Sequence, residues 1–274
     1  MSEAAGATIR PADVAIGAGL LAGTANVIMQ LARPGVGYGV VESRVDSGNL
    51  FKHPVKRTRT TLSYLAVTLL GTDEERRRYA RAVTRSHARV RSTETSPVSY
   101  NAFDPELQLW VAACLYRGFQ DTFSLFGSPV EAADWERLYR ELAVFGETLQ
   151  VPAHRWPADT EAFERYWKES LDQVEIDDTV RAYLTDLILL KPFAPPVQLL
   201  FRDLNRFVTT GFLTARFREE MRLSWDEARQ RRFDRLMRLV RLLVRAAPPR
   251  LRAFPFNLVM VDLRWRIRTG RALV

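Results

Sequence analysis

Residues that carry most polar enzyme chemistry are scarce in this chain. It has one cysteine, Cys114, and three histidines, His53, His87 and His154, in 274 residues. A single thiol excludes an intramolecular disulfide and points to a reducing compartment. Its place in an apolar run reads as an inert core thiol rather than a nucleophile. There is no Cys-x-x-Cys and no His-Glu-x-x-His, so zinc is poorly supported. No Gly-x-Ser-x-Gly is present, and no spacing among the 32 acids isolates a hydrolytic carboxylate pair. Runs of alternating β-branched residues are missing too, which argues against a sheet. The most apolar run, residues 14–32, contains Gly17, Gly19, Gly23, Thr24, Asn26 and Gln30. Polar groups are costly inside a bilayer, so this run reads as a buried helix, with shallow membrane contact the lesser reading. The first ten residues carry little positive charge and no clear cleavage site follows, so a signal peptide is not expected. The expected location is cytoplasmic, with membrane association second.

What is present suits a folded domain. Hydrophobic residues make up 47% and charged residues 26%, and fifteen Phe and six Trp can fill a substantial core. The net charge is +8 and its basic side is mostly arginine. That charge reflects a high-GC coding bias, meets acidic lipid or nucleic acid, or clamps an anionic ligand. Neither the aromatic-and-basic alternation of an RNA platform nor a DNA-binding motif is found, so nucleic acid is not an expected partner. The oligomeric state is not legible.

Helical signals recur almost from end to end. Thr72-Asp73-Glu74-Glu75, Ser128-Pro129-Val130-Glu131 and Ser224-Trp225-Asp226-Glu227 read as capping boxes. Asp104-Pro105 reads as an N-cap before a first-turn proline, with Gly127 ending that helix. Helices are predicted near 12–32, 54–70, 73–91, 105–126, 129–148, 160–174, 178–190, 196–210, 213–221, 225–246 and 254–268. The glycine-rich stretch Pro34-Gly35-Val36-Gly37-Tyr38-Gly39 lacks the spacing of a phosphate loop and reads as a hinge. Residues 93–99 read as a polar linker. The expectation is an all-α, single multi-helix domain of about ten helices over residues 1–274, with 1–10 flexible.

His87 is the most informative residue. In a helix, Tyr79, Ala80, Val83, His87 and Val90 share one face, so the imidazole travels with the apolar stripe. The structural reading is a core histidine whose nitrogens are satisfied by hydrogen bonds. The functional reading is a ligand to a metal or haem iron. On the preceding helix Arg57 and Thr61 stand at i and i+4, and Tyr64, Leu65 and Thr68 continue that face. An arginine at the mouth of an apolar slot could seat a haem propionate, and a solvated basic helix end would look the same.

The chain resembles the family of the bacterial latex clearing protein (rubber oxygenase) and the MpaB-type oxygenase of mycophenolic acid biosynthesis. Four blocks carry the resemblance in order. They are Gly23-Thr24-Ala25-Asn26-Val27-Ile28-Met29-Gln30-Leu31-Ala32-Arg33-Pro34-Gly35-Val36, then Arg57-Thr58-Arg59-Thr60-Thr61 with Gly71-Thr72, then His87-Ala88-Arg89-Val90, then Tyr100-Asn101-Ala102-Phe103-Asp104-Pro105 running to Trp110-Val111. Weaker similarity continues through Trp156-Pro157 and Phe163-Tyr166 to the C-terminal helices. The resemblance implies an all-helical fold with a buried haem-type cleft, haem b as cofactor, and oxidation of hydrophobic substrates by dioxygen. It makes His87 the proximal iron ligand and places Arg57 and Thr61 beside the haem as the candidate catalytic residues, and Tyr64, on the same helical face, is a further candidate to line the cofactor. Two positions depart from the pattern. Thr60 stands where some members carry a lysine that can be a distal ligand, and Ala112 where many carry a histidine.

Two functions are therefore expected to compete. The first is a haem-dependent oxygenase or oxidoreductase acting on a lipid- or terpenoid-like small molecule. The second is a non-catalytic helical protein that binds a lipid or a partner and kept the fold without the cofactor. Helix 225–246 bears on the second, since Phe233, Leu236, Leu239, Val240, Leu243 and Val244 form one apolar face among arginines. Such a face reads first as a core face and second as peripheral membrane contact.

Overall fold

Residues 9–43, 45 and 49–274 are described by the structure, a computed structural model. Residues 1–8 of the expected flexible N-terminus lie outside them. The helices are α1 (Gly23–Leu31), α2 (Pro34–Val41), α3 (Pro54–Leu70), α4 (Asp73–His87), α5 (Pro105–Phe126), α6 (Ala132–Leu142) and α7 (Val144–Thr148). They continue as α8 (Thr160–Leu171), α9 (Asp178–Ile188), α10 (Pro195–Phe212), α11 (Ala215–Glu220), α12 (Glu227–Ala246), α13 (Pro249–Arg252) and α14 (Phe256–Thr269). Short 3-10 turns lie at Pro11–Val14, Gly17–Ala22 and Ala153–Arg155. Among the described residues there is no strand, only an isolated antiparallel bridge between Arg91 and Asn101. The fold is all-α and a single domain, as its periodicity predicts.

Helix α5 is the axis. It starts where Asp104 accepts hydrogen bonds from the Glu106 and Leu107 amides, with Pro105 in its first turn, and it stops at Gly127. Trp110, Ala112, Ala113, Cys114 and Tyr116 are fully buried along it. Helices α1, α7 and α12 and the turn Gly17–Ala22 pack around it. The Tyr116 ring meets Phe163 edge-on at 4.5 Å, and Trp110 stacks on Trp167 at 5.2 Å, which ties α8 to the same core. A second group forms at the edge, where α3 lies against α4, α7 and α14.

Several boundaries differ from the periodicity. Residues 12–32 do not form one helix but two 3-10 turns and α1. Close approach explains the break. A Cβ at Gly17 would strike the Phe254 carbonyl, and one at Gly19 would meet the Thr122 side chain at 3.2 Å. The expected hinge at 34–39 is helix α2, with Pro34 at its first position. Packing overrides the weak helix propensity of its glycines, since Gly37 sits so near the Leu31 carbonyl and Val180 that a Cβ would lie 2.8 Å from the former. The stretch 129–148 divides into α6 and α7 at Ala143. Only the first of the three predicted capping boxes forms. Glu131 precedes α6 without a side-chain cap bond, and Asp226 rather than Ser224 caps α12 by accepting from the Arg229 amide.

Candidate active site

Two consecutive helices place the candidate residues. Helix α3 ends at Gly71, and α4 begins one residue later at a complete capping box. There Thr72 accepts from the Glu75 amide, and Glu75 accepts from the Thr72 amide. The chain so reverses that the C-terminal end of α4 comes back beside the N-terminal end of α3. Midway, the Tyr79 hydroxyl donates to the Thr60 carbonyl at 2.7 Å and its ring tilts against Tyr64 at 6.4 Å.

His87 is the last residue of α4 and is half-buried. A helix C-terminus favours a protonated imidazole. Burial and the Arg57 guanidinium outweigh that here and push its pKa down to about 4. The ring is therefore neutral at pH 7. Among the described residues, no group hydrogen-bonds either ring nitrogen. His53 and His154 are exposed.

Arg57 is half-buried, and the structure brings it close enough to His87, Tyr79 and Tyr183 for its charge to act on all three. Tyr183, on α9, meets Phe51 edge-on at 5.2 Å. Sequence spacing could not find Phe51 or Tyr183. They come from a loop and from a helix far along the chain, and only tertiary packing joins them to Arg57. Thr61 is exposed on α3. Tyr64 turns its hydroxyl away to α7, where it lies 3.0 Å from the Thr148 hydroxyl. Thr148 donates to the Val144 carbonyl, so Tyr64 is the donor in that pair. Burial holds the Tyr64 and Tyr79 phenols protonated, with pKa values well above the ordinary range. Thr60 donates to the Lys56 carbonyl at 3.0 Å, and Ala112 is wholly buried.

Other chemistry finds little here. Cys114 is buried with its thiol pushed up by desolvation, and among the described residues no three His, Cys, Asp or Glu side chains gather as for a metal ion. Two shallow grooves are lined by α12 residues, Arg231, Asp234, Arg235 and Arg238 in one and Phe233, Met237 and Arg241 in the other, with Leu125 of α5. Neither includes a residue of α3 or α4.

The blocks that carry the family resemblance prove to touch one another. The Trp110 indole donates to the Met29 and Gln30 carbonyls, and Arg33 lies over its ring at 5.0 Å. The Asn26 amide donates to the Cys114 carbonyl at 2.6 Å. Comparison with known proteins agrees. Two relatives, described as uncharacterized proteins of Mycobacterium tuberculosis and Mycobacterium bovis, are each 50% identical over 255 residues, 93% of this chain and 100% of the relative. No solved structure matches. Residues 14–242 match the family described as ER-bound oxygenase mpaB/B'/Rubber oxygenase, catalytic domain, and the chain belongs to that oxygenase family.

Proposed function

We propose that this protein is a haem b-dependent oxygenase that uses dioxygen on a hydrophobic, lipid- or terpenoid-like small molecule, with His87 as the proximal iron ligand. The observation that carries the reading is the state of His87. A structural histidine settles its nitrogens in hydrogen bonds, and an acid–base histidine keeps a carboxylate beside it. His87 has neither among the described residues, and its near neighbour is a cation. A neutral half-buried imidazole with a free lone pair is the donor that haem iron takes. The donor chemistry therefore fits the group that the family resemblance implies. Bound haem would supply the activation of dioxygen, which no side chain here can perform.

The remaining residues have roles of their own. Arg57, without an ion pair among the described residues, offers a guanidinium fork to a carboxylate such as a propionate. It also keeps His87 unprotonated and available. Thr61, one turn along α3 and exposed, offers a hydroxyl to a polar group at the mouth. Tyr64 and Tyr79 close the far end with rings whose hydroxyls are already engaged, which keeps that end dry. Thr60 spends its hydroxyl on the Lys56 carbonyl and supplies no second ligand.

Reconstitution of purified protein with hemin tests this. The wild type should give the Soret band of an imidazole-ligated haem, and His87→Ala should lose it. Arg57→Ala should weaken hemin affinity about tenfold, the worth of one charge-assisted pair, with unchanged helicity. A wild type without an imidazole-type spectrum, or a His87→Ala variant with the wild-type spectrum, would overturn the reading in favour of a helical binding protein.

A further inference from the structure

The chemistry of α3 and α4 leaves one stretch of surface unexplained. The N-terminal half of α10, the end of α12 and α13 turn apolar side chains to solvent. Leu199 and Leu200 are 75% and 72% exposed, Leu242 and Leu243 66% and 63%, and Leu251 64%. These elements adjoin: α10 packs on α12, α10 and α13 both rest on the turn Gly17–Ala22, and α13 follows α12 directly. Single exposed leucines are ordinary, but a run of them on adjoining helices marks an interaction surface. The orientation of α10 is fixed by its polar residues. Asn205 donates to the Ile188 carbonyl at 2.8 Å and Gln198 to the Phe193 carbonyl at 2.7 Å. The helix is thus held by its amides, and its leucines face out.

Charge on the α12 and α13 part of this face says what covers it; on α10 the exposed acid, Asp203, lies 3.8 Å from the Arg202 guanidinium. Between Asp234 and Asp262 the chain has no acidic residue and six arginines, at 235, 238, 241, 245, 250 and 252. Arg252 caps the end of α12 by donating to the Ala247 and Arg245 carbonyls. Arg245 and Arg250 form no ion pair among the described residues. A second copy of the chain, docking about a two-fold axis, would set this basic patch against the same basic patch. An anionic bilayer matches both features, because headgroup phosphates accept from guanidinium groups while leucines enter the acyl boundary.

We propose that the N-terminal half of α10, the end of α12 and α13 together form a docking surface for an anionic lipid bilayer. Docking does not depend on the oxygenase reading. Delivery of an apolar substrate from that bilayer would.

Co-sedimentation of the full chain with vesicles tests the surface. Binding to vesicles containing phosphatidylglycerol should exceed binding to pure phosphatidylcholine vesicles and should fall as salt is raised. The double variants Leu200→Glu/Leu251→Glu and Arg245→Gln/Arg250→Gln should each bind about tenfold more weakly, since one removes inserted apolar area and the other phosphate partners. Their circular dichroism and hemin spectra should match the wild type, because these side chains lie in solvent on elements other than α3 and α4. Equal binding to both vesicle types, binding to neither, or binding that both variants retain would overturn the proposal. A dimer in sedimentation velocity that Leu200→Glu/Leu251→Glu dissolves would also overturn it and assign the face to a second copy.

Discussion

At the scale of single residues, the positions that make the family recognisable divide into two kinds. His87 and Arg57 stand where chemistry can use them. Asn26 and Trp110 hold α1 against α5 with their side-chain donors spent on backbone carbonyls, and Arg33 lies over the Trp110 ring. Gly118, outside those family blocks, serves the same contact, since a Cβ there would run into the Asn26 amide that donates to the Cys114 carbonyl. Alanine favours a helix over glycine by about 1 kcal/mol, so Gly118→Ala would stabilise α5 if α5 stood alone. Overpacking at a buried contact costs roughly 1–3 kcal/mol, and a displaced hydrogen bond adds about 1 kcal/mol. Crowding should win, and urea denaturation should show a net loss of roughly 1–3 kcal/mol. A stabilised Gly118→Ala would mean that Asn26 is free to move. The glycine's role was not legible in the sequence, because the contact spans two distant helices. The half-buried setting of His87 was legible because periodicity along one helix is a local property. Its lack of hydrogen-bond partners was not, because that depends on every neighbour in space.

At the scale of elements, local signals held where one segment decides the outcome and failed where another segment decides. The capping box at Thr72 and the ends of α3 and α5 follow from a few adjacent residues, and the structure has them. The helix at 34–41 and the broken run at 12–32 depend on what presses against their glycines, which no window along the chain contains. Glu75 illustrates both. Its capping role is local, but it also accepts from Arg264 of α14 at 2.8 Å, 189 residues away. The hydrogen bond from Arg264 and that from the Thr72 amide hold its carboxyl below the ordinary value of 4.5, against desolvation. A depressed carboxylate contributes stability above its unfolded pKa, and the contribution is lost as pH falls through the folded value. Glu75→Gln keeps an oxygen that can accept from the Thr72 amide but loses the charge facing Arg264, so it should cost about 0.5–1 kcal/mol at neutral pH, with α14 less firmly attached. The difference between wild type and variant should be full above pH 4.5 and should close as acid protonates Glu75. Thermal melts of both proteins across that range check the sign. A gap that stays constant to low pH would show that the carboxylate charge has no part in it.

At the scale of the whole molecule, the question is where the folding unit ends. The family match stops at residue 242, yet the chain beyond it is not an appendage. Helix α14 lies along α3, the helix that carries Arg57, and buries Phe256, Met260 and Leu263 almost completely. Asp262 lies 3.9 Å from the Arg59 guanidinium, and Arg264 holds Glu75. Burying each such apolar side chain is worth about 1.5–3 kcal/mol, so the three together approach the ~5–15 kcal/mol by which a whole domain is stable. No helix among the described residues is long and apolar enough to cross a membrane, so α14 must find its partner within the protein or on a surface. Ending the chain after Ala246 would uncover α3 along its length. The truncated protein should lose its near-ultraviolet dichroism and its cooperative melt while keeping much of its helicity, the signature of secondary structure without fixed packing. It should also fail to hold hemin, because the helix presenting Arg57 would no longer be held against α4. A truncated form that melts cooperatively within a few degrees of the full chain would place the domain boundary at the end of α12.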